Sequence, residues 1–184
     1  MHCYFVHMRN IPIKDRHKLV LSLLSSHYKC RVDYKNFKRD SYNKPYIDSC
    51  TGKVESFSYA HTKQYLVMLA GKDGAVGVDV EDITKPRKGL HLLKDVFSKE
   101  EHSFINRLDS VRFKEEILKI WVQKEAIGKA LGVGIMYDMA SVTVSELSHG
   151  CFKKVLVHDK AVYTGFLRLK ECCVGLAWHG NEGK

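Results

Sequence analysis

The stretch that most constrains this chain lies between residues 111 and 131. Phe113, Ile117, Ile120, Ile127 and Leu131 recur there at helical spacing and define one apolar arc. The pattern predicts a helix of roughly six turns, which must meet a packing partner along that arc. Candidate strands flank it. Upstream, residues 3–8, 54–60, 64–70 and 75–81 read as strands, and Gln64–Ala70 is apolar enough to be central in a sheet. Downstream, residues 141–146, 152–158, 161–169 and 172–178 read as strands, separated by turns at 148–150 and 158–160. Leu19, Val20, Leu23 and Leu24 predict a further helix over 14–29. Another helix starts at Ser98, with Glu101 as its capping-box partner. Asn43-Lys44-Pro45 and residues 71–74 read as turns.

This order of strand, helix, strands, helices and strands predicts an α+β chain of two similar halves. Residues 84–89 form a polar linker, so the division is expected after Ile83, giving halves 1–83 and 84–184. Hydrophobic residues make up 45 % of the chain and only 3 prolines occur, which suits a packed core. The N-terminal residues are too short and polar a run for a signal peptide. No stretch approaches the roughly 20 apolar residues of a membrane helix, so a cytoplasmic protein with no membrane partner is expected. The 6 cysteines contain no Cys-x-x-Cys pair and are read as reduced thiols. A net charge of +9 favours polyanionic partners. The lysines are spread along the chain, and the aromatic residues follow core-like patterns, which speaks against a nucleic acid.

Asp79 and Glu81 stand two apart on a predicted strand, so they share one face while Val78 and Val80 face the core. Alone, the pair is equally well a solvated strand end. On the long helix, Trp121, Glu125 and Lys129 follow at four-residue spacing along the edge of the apolar arc, and Lys124 falls inside it. A charge inside the arc needs a partner or a route to water. An ordinary helix ion pair between Glu125 and Lys129 is the alternative to a functional reading. Three carboxylates that converge would make a hard-oxygen site suited to magnesium, with nearby lysines implying a polyphosphate substrate.

The residues Gly77-Val78-Asp79-Val80-Glu81, then Phe97-Ser98 with Glu101, then Trp121 with Lys124, Glu125 and Lys129, resemble the three-part signature of the Sfp-type 4'-phosphopantetheinyl transferases. Asn43-Lys44-Pro45 resembles the family's G-K-P turn, and Phe57–His61 its F-N-x-S-H strand. The resemblance implies two pseudo-symmetric halves, each a small antiparallel sheet packed with a long helix, forming one compact unit. The first half would contact the nucleotide and the second would carry the metal-binding helix. The implied reaction transfers 4'-phosphopantetheine from coenzyme A, the co-substrate, to a serine of an acyl or peptidyl carrier protein. Adenosine 3',5'-bisphosphate is released. Asp79, Glu81 and Glu125 would hold magnesium, with manganese as the alternative ion. Glu101 and Lys129 would be catalytic, Glu101 as general base. Lys44, His61, Lys124 and Lys129 would bind coenzyme A, with His61 near the 3'-phosphate. The partner would be an acidic carrier, and a monomer is expected because the site would lie between the two halves.

The sequence departs from the family at the nucleotide end. The basic segment that usually lies between the first strand and first helix is mostly missing, since Ile11-Pro12-Ile13 leads straight to Lys14. Lys14, Arg16 or Lys18 would have to substitute. Ala60 stands where the family has serine, and Asn43 where it has glycine. The alternative function is a binding module that holds coenzyme A or a carrier without turning it over.

Overall fold

The structure is a computed structural model that describes residues 1–48, 56–71, 74–84 and 94–180. Strand β1 (His2–His7) pairs antiparallel with β5 (Tyr65–Gly71), which also pairs with β4 (Ser56–His61). Helix α1 (Arg16–Tyr28) covers one face of this three-stranded sheet. Val20, Leu21 and Leu24 pack there with Phe57, Leu66 and Met68. The helix ends at Lys29, which takes the left-handed conformation.

The second sheet has four antiparallel strands in the order β6 (Gly74–Asp82), β9 (Cys172–Gly180), β8 (Lys160–Arg168) and β7 (Phe152–Val157). β6 precedes the expected division after Ile83, yet it belongs to this sheet through β9. The other face of β6 and β9 meets the first sheet: Val76, Val78, Val80, Val174 and Leu176 pack with Ala60, Val67 and Leu69. Along this junction, Ser56 Oγ accepts the Val76 amide at 3.0 Å and Ser58 Oγ the Val78 amide at 3.1 Å. Two hydroxyls thus satisfy strand amides that carry no ladder bond, and they hold β4 beside β6.

Helix α2 (Lys99–Ile105) opens on the expected capping box, with Ser98 and Glu101 each accepting the other's backbone amide. Helix α3 (Ser110–Leu131) follows the predicted span within a residue and is capped by Asp109, whose carboxylate accepts the Val111 and Arg112 amides. It stops at Gly132, whose φ of 77° suits glycine. Ile117, Ile120 and Ile127 enter the core against Val162, Phe166, Cys173 and Ala177. How close α3 lies to the sheet is set by two strand glycines. A Cβ on Gly77 would collide with the Ala126 carbonyl, and one on Gly175 with the Val122 carbonyl. Backbone therefore rests on backbone, which no larger residue at either position would permit.

Two expectations are corrected and one element is added. Residues 142–145 are extended but unpaired, not a strand. Val142 and Val144 alternate inward because they seal the core beside α3, and the Val144 amide is taken by a side chain. A short hairpin, β2 (Phe37–Arg39) with β3 (Pro45–Ile47), surrounds the Asn43 turn and was not foreseen. Cys30 is disulfide-bonded, whereas Cys3, Cys151, Cys172 and Cys173 are free; residue spacing along the chain does not reveal which thiols meet in space. The linker over 85–89 and positions 72 and 73 of the expected turn lie outside the described residues. Among the described residues no helix is long and apolar enough to cross a membrane.

Candidate active site

The end of β6, the end of α3, the β2–β3 hairpin and the β4–β5 turn surround a cavity of about 1050 Å³. Its lining includes Arg39, Lys44, His61, Lys63, Asp79, Glu81 and Lys129. Across the whole lining five basic side chains stand against three acidic ones, Asp79, Glu81 and Asp82, and the basic excess is the electrostatic setting a polyphosphate requires.

Asp79 is the anchor. Gly77, two residues earlier, sits under Ala126 and Ala130, so the α3 turn carrying Lys129 is held over the carboxylate. Lys129 Nζ lies 2.7 Å from Asp79 Oδ1 and donates to the Val78 carbonyl at 3.1 Å. This lysine thus reaches across to β6. The second oxygen, Asp79 Oδ2, is buried and has no hydrogen-bond partner. A buried carboxylate oxygen without a donor is costly and is a fitting ligand for a hard cation. Glu81 lines the same cavity from the same strand face. Magnesium takes one or two carboxylates together with water and substrate phosphate, and Asp79 with Glu81 fits that demand. Glu125 is half-buried on α3 and outside the cavity lining. Its charge acts on Tyr137, whose hydroxyl is pushed far up, first by burial and then by the fields of Glu125 and Glu101. Among the described residues no group of three or more His, Cys, Asp or Glu side chains could hold a metal ion.

Two expected site residues face inward. Glu101 and Lys124 have fully buried side chains and form an ion pair at 2.7 Å. Glu101 accepts the Ser98 amide at 2.9 Å and the Val144 amide at 2.7 Å. Lys124 donates to the Val96 and Met139 carbonyls at 2.8 and 2.6 Å. Burial lowers the Lys124 pKa, against the opposing pull of Glu101. Neither residue lines the cavity. The charge inside the apolar arc is therefore answered by an internal partner, and the pair ties α2, α3 and the 142–145 segment together.

Lys44 and His61 do stand at the cavity. Lys44 Nζ donates to the Ala130 carbonyl at 2.9 Å, placing a cation at the C-terminal end of α3; burial lowers its pKa. His61 is exposed, with Nδ1 3.5 Å from Arg16 Nη1. Arg39 was missed from sequence. It donates to Tyr59 Oη at 3.1 Å and to the Asn43 carbonyl at 2.9 Å. Its position at the base of the hairpin, four residues before the positive-φ Asn43, is the signal that could have found it.

Residues 75–172, more than half of the chain, match the family model of the 4'-phosphopantetheinyl transferase superfamily. The chain belongs to this superfamily. Among curated relatives, this superfamily member is 29 % identical over 126 residues to a phosphopantetheinyl transferase of Thraustochytrium sp., covering 60 % of this chain and 43 % of the relative. It is also 29 % identical over 126 residues to the 4'-phosphopantetheinyl transferase Sfp of Bacillus subtilis, covering 68 % of this chain and 54 % of the relative. The chain thus spans about half the length of the curated relatives it matches. A crystal structure of a holo-(acyl-carrier-protein) synthase from Bacillus anthracis, in complex with coenzyme A, aligns at a TM-score of 0.43 and 17 % identity. That alignment covers 59 % of this chain and 98 % of the other.

Proposed function

We propose that this chain transfers the 4'-phosphopantetheine group of coenzyme A to a serine hydroxyl of an acyl or peptidyl carrier protein. The observation that carries the reading is the meeting of Lys129 with Asp79 in a cavity lined by further basic side chains. In the reaction the serine oxygen bonds to the phosphorus next to pantetheine. The pyrophosphate P–O bond breaks, and adenosine 3',5'-bisphosphate leaves. The Lys129 ammonium balances charge that gathers on the leaving phosphate. Lys44, Arg39 and His61 hold the nucleotide end. The serine proton passes, through water, to the acidic stretch at the end of β6. Magnesium, held by Asp79 and Glu81, would supply positive charge to the pyrophosphate. Glu101 and Lys124 serve this site by fixing α3. An acidic carrier suits the net charge of +9, which would steer its approach to a monomer of this chain.

The test is to incubate the protein with apo carrier proteins, coenzyme A and magnesium, and to weigh the carriers. The expected result is the mass gain of one phosphopantetheine, lost in Asp79→Ala with the fold intact by circular dichroism. Binding of coenzyme A without any mass gain across several carriers would leave only a binding module.

A further inference from the structure

We propose that Ser58 is a positioning residue for the transfer, aiming the Lys129 ammonium through the main chain of Val78. The proposal deepens the transfer reading above and rests on it.

Strand β6 bonds to β9 along one edge, and their register runs unbroken from Gly74 to Asp82. In such a ladder every second residue turns both its N–H and its C=O to the other edge. Val76, Val78 and Val80 are those residues, because the Val76 and Val78 amides are taken by the hydroxyls of Ser56 and Ser58 on β4, at 3.0 and 3.1 Å. The next step along both strands brings Ala60 to Val80, and alanine has no hydroxyl to offer. The row of hydroxyls therefore ends at Ser58.

Val78 is held on both sides of its Cα. Its N–H goes to Ser58, and its C=O accepts Lys129 Nζ at 3.1 Å. Val78 is fully buried and Ser58 is 5 % exposed, so solvent does not stand ready to replace the hydroxyl. Lys129 Nζ also lies 2.7 Å from Asp79 Oδ1. An ammonium carries three hydrogens. Asp79 and Val78 place two of them, which fixes where the third points. Asp79 alone would let the ammonium swing about a single bond. The Val78 carbonyl stops that swing, and Ser58 holds the strand that carries the carbonyl. A continuous run of bonded groups, from Ser58 through Val78 and Lys129 to Asp79, thus joins the first sheet to α3 across β6. Ser58 acts through Lys129 and not on the substrate.

The experiment measures kcat and KM for coenzyme A, with an apo carrier protein and saturating magnesium. The variants are Ser58→Ala, Ser56→Ala, Lys129→Ala and the double variant of Ser58→Ala with Lys129→Ala. Ser56→Ala is the control, because it removes the same kind of bond one step further from Lys129. Each serine variant should lower the melting temperature by about 5 °C, the cost of a strand amide left without its acceptor. Ser58→Ala alone should lower kcat about tenfold, with KM changed less than about threefold. Ser58→Cys keeps nearly the volume and offers a weak acceptor, so its kcat should fall between wild type and Ser58→Ala. In the Lys129→Ala background, Ser58→Ala should cost less than about twofold in kcat. A full tenfold loss in that background would place Ser58 on the ligand itself and overturn the proposal. Equal kinetic losses in the two serine variants, or wild-type kinetics in Ser58→Ala, would reduce the hydroxyls to scaffolding and leave the proposed function standing. A wild type that modifies no carrier would remove the function, and the positioning role with it.

Discussion

Replacing Lys124 by methionine should be among the most damaging single substitutions in this protein, through stability and not through the cavity. The side chain is fully buried, 2.7 Å from an equally buried Glu101, and donates to two carbonyls. Methionine fills most of the volume but leaves the Glu101 carboxylate without a cation. Breaking one side of such a pair costs about 3–5 kcal/mol, a large share of the roughly 5–15 kcal/mol that holds a domain together. With a urea dependence of about 2 kcal/mol per M, the unfolding midpoint should fall by about 2 M. Fluorescence of the buried Trp121 would follow the transition. A cycle with Glu101→Gln and the double variant isolates the pair. The glutamine can still accept one of the two amides, so the double variant should be less damaged than the sum, with a coupling above about 1.5 kcal/mol. A Lys124→Met protein destabilised by less than about 1 kcal/mol, or additive losses, would refute the reasoning. So would a Glu101→Gln protein of wild-type stability that had lost transfer activity, since that would return Glu101 to the chemistry.

Gly77→Ala should destabilise by about 1–3 kcal/mol and slow transfer, because the new Cβ meets the backbone of Ala126 and Ala130 and must push Lys129 away from Asp79; melting temperature and transfer rate measured together check this. The Tyr65 hydroxyl donates to Glu171 Oε2 at 2.6 Å, and that bond, with burial and the Glu171 charge, pushes its pKa up to about 12. Its folded pKa is above the unfolded value, so the stabilisation is complete below about pH 10 and is lost as pH rises to about 12. Tyr65→Phe should flatten that part of the stability–pH curve, read by denaturation at stepped pH.

The face of the strand that carries Asp79 and Glu81 was legible because period two and the Gly77–Glu81 run leave little choice of face, and the capping box at Ser98 was legible because both partners are local. The partner of Lys124 was not. Its arc position announced a buried charge, but Glu101 lies on another helix, and only the tertiary packing shows that the two answer each other. Residues 142–145 misled for a related reason. Inward alternation is the signature of burial on one side, and Val142 and Val144 have that burial without a neighbouring strand to pair with. The place of Lys44 was half legible: its position at the cavity followed from the resemblance of Asn43-Lys44-Pro45 to the family's G-K-P turn, while its bond to the Ala130 carbonyl joins residues 86 positions apart.

The seating of α3 on Gly77 and Gly175 has a consequence for how such a chain can drift. The register of Lys129 over Asp79 is held by main-chain atoms, which every residue possesses. The isoleucines and valines around the helix can be exchanged for others of similar volume, and Lys129 and Asp79 keep their spacing. At the two glycines any larger residue pushes helix and sheet apart. Tolerance in the surrounding core and intolerance at two positions are therefore the same fact, and a library of variants at Gly77, Gly175, Ile120 and Val162 would show the two behaviours side by side.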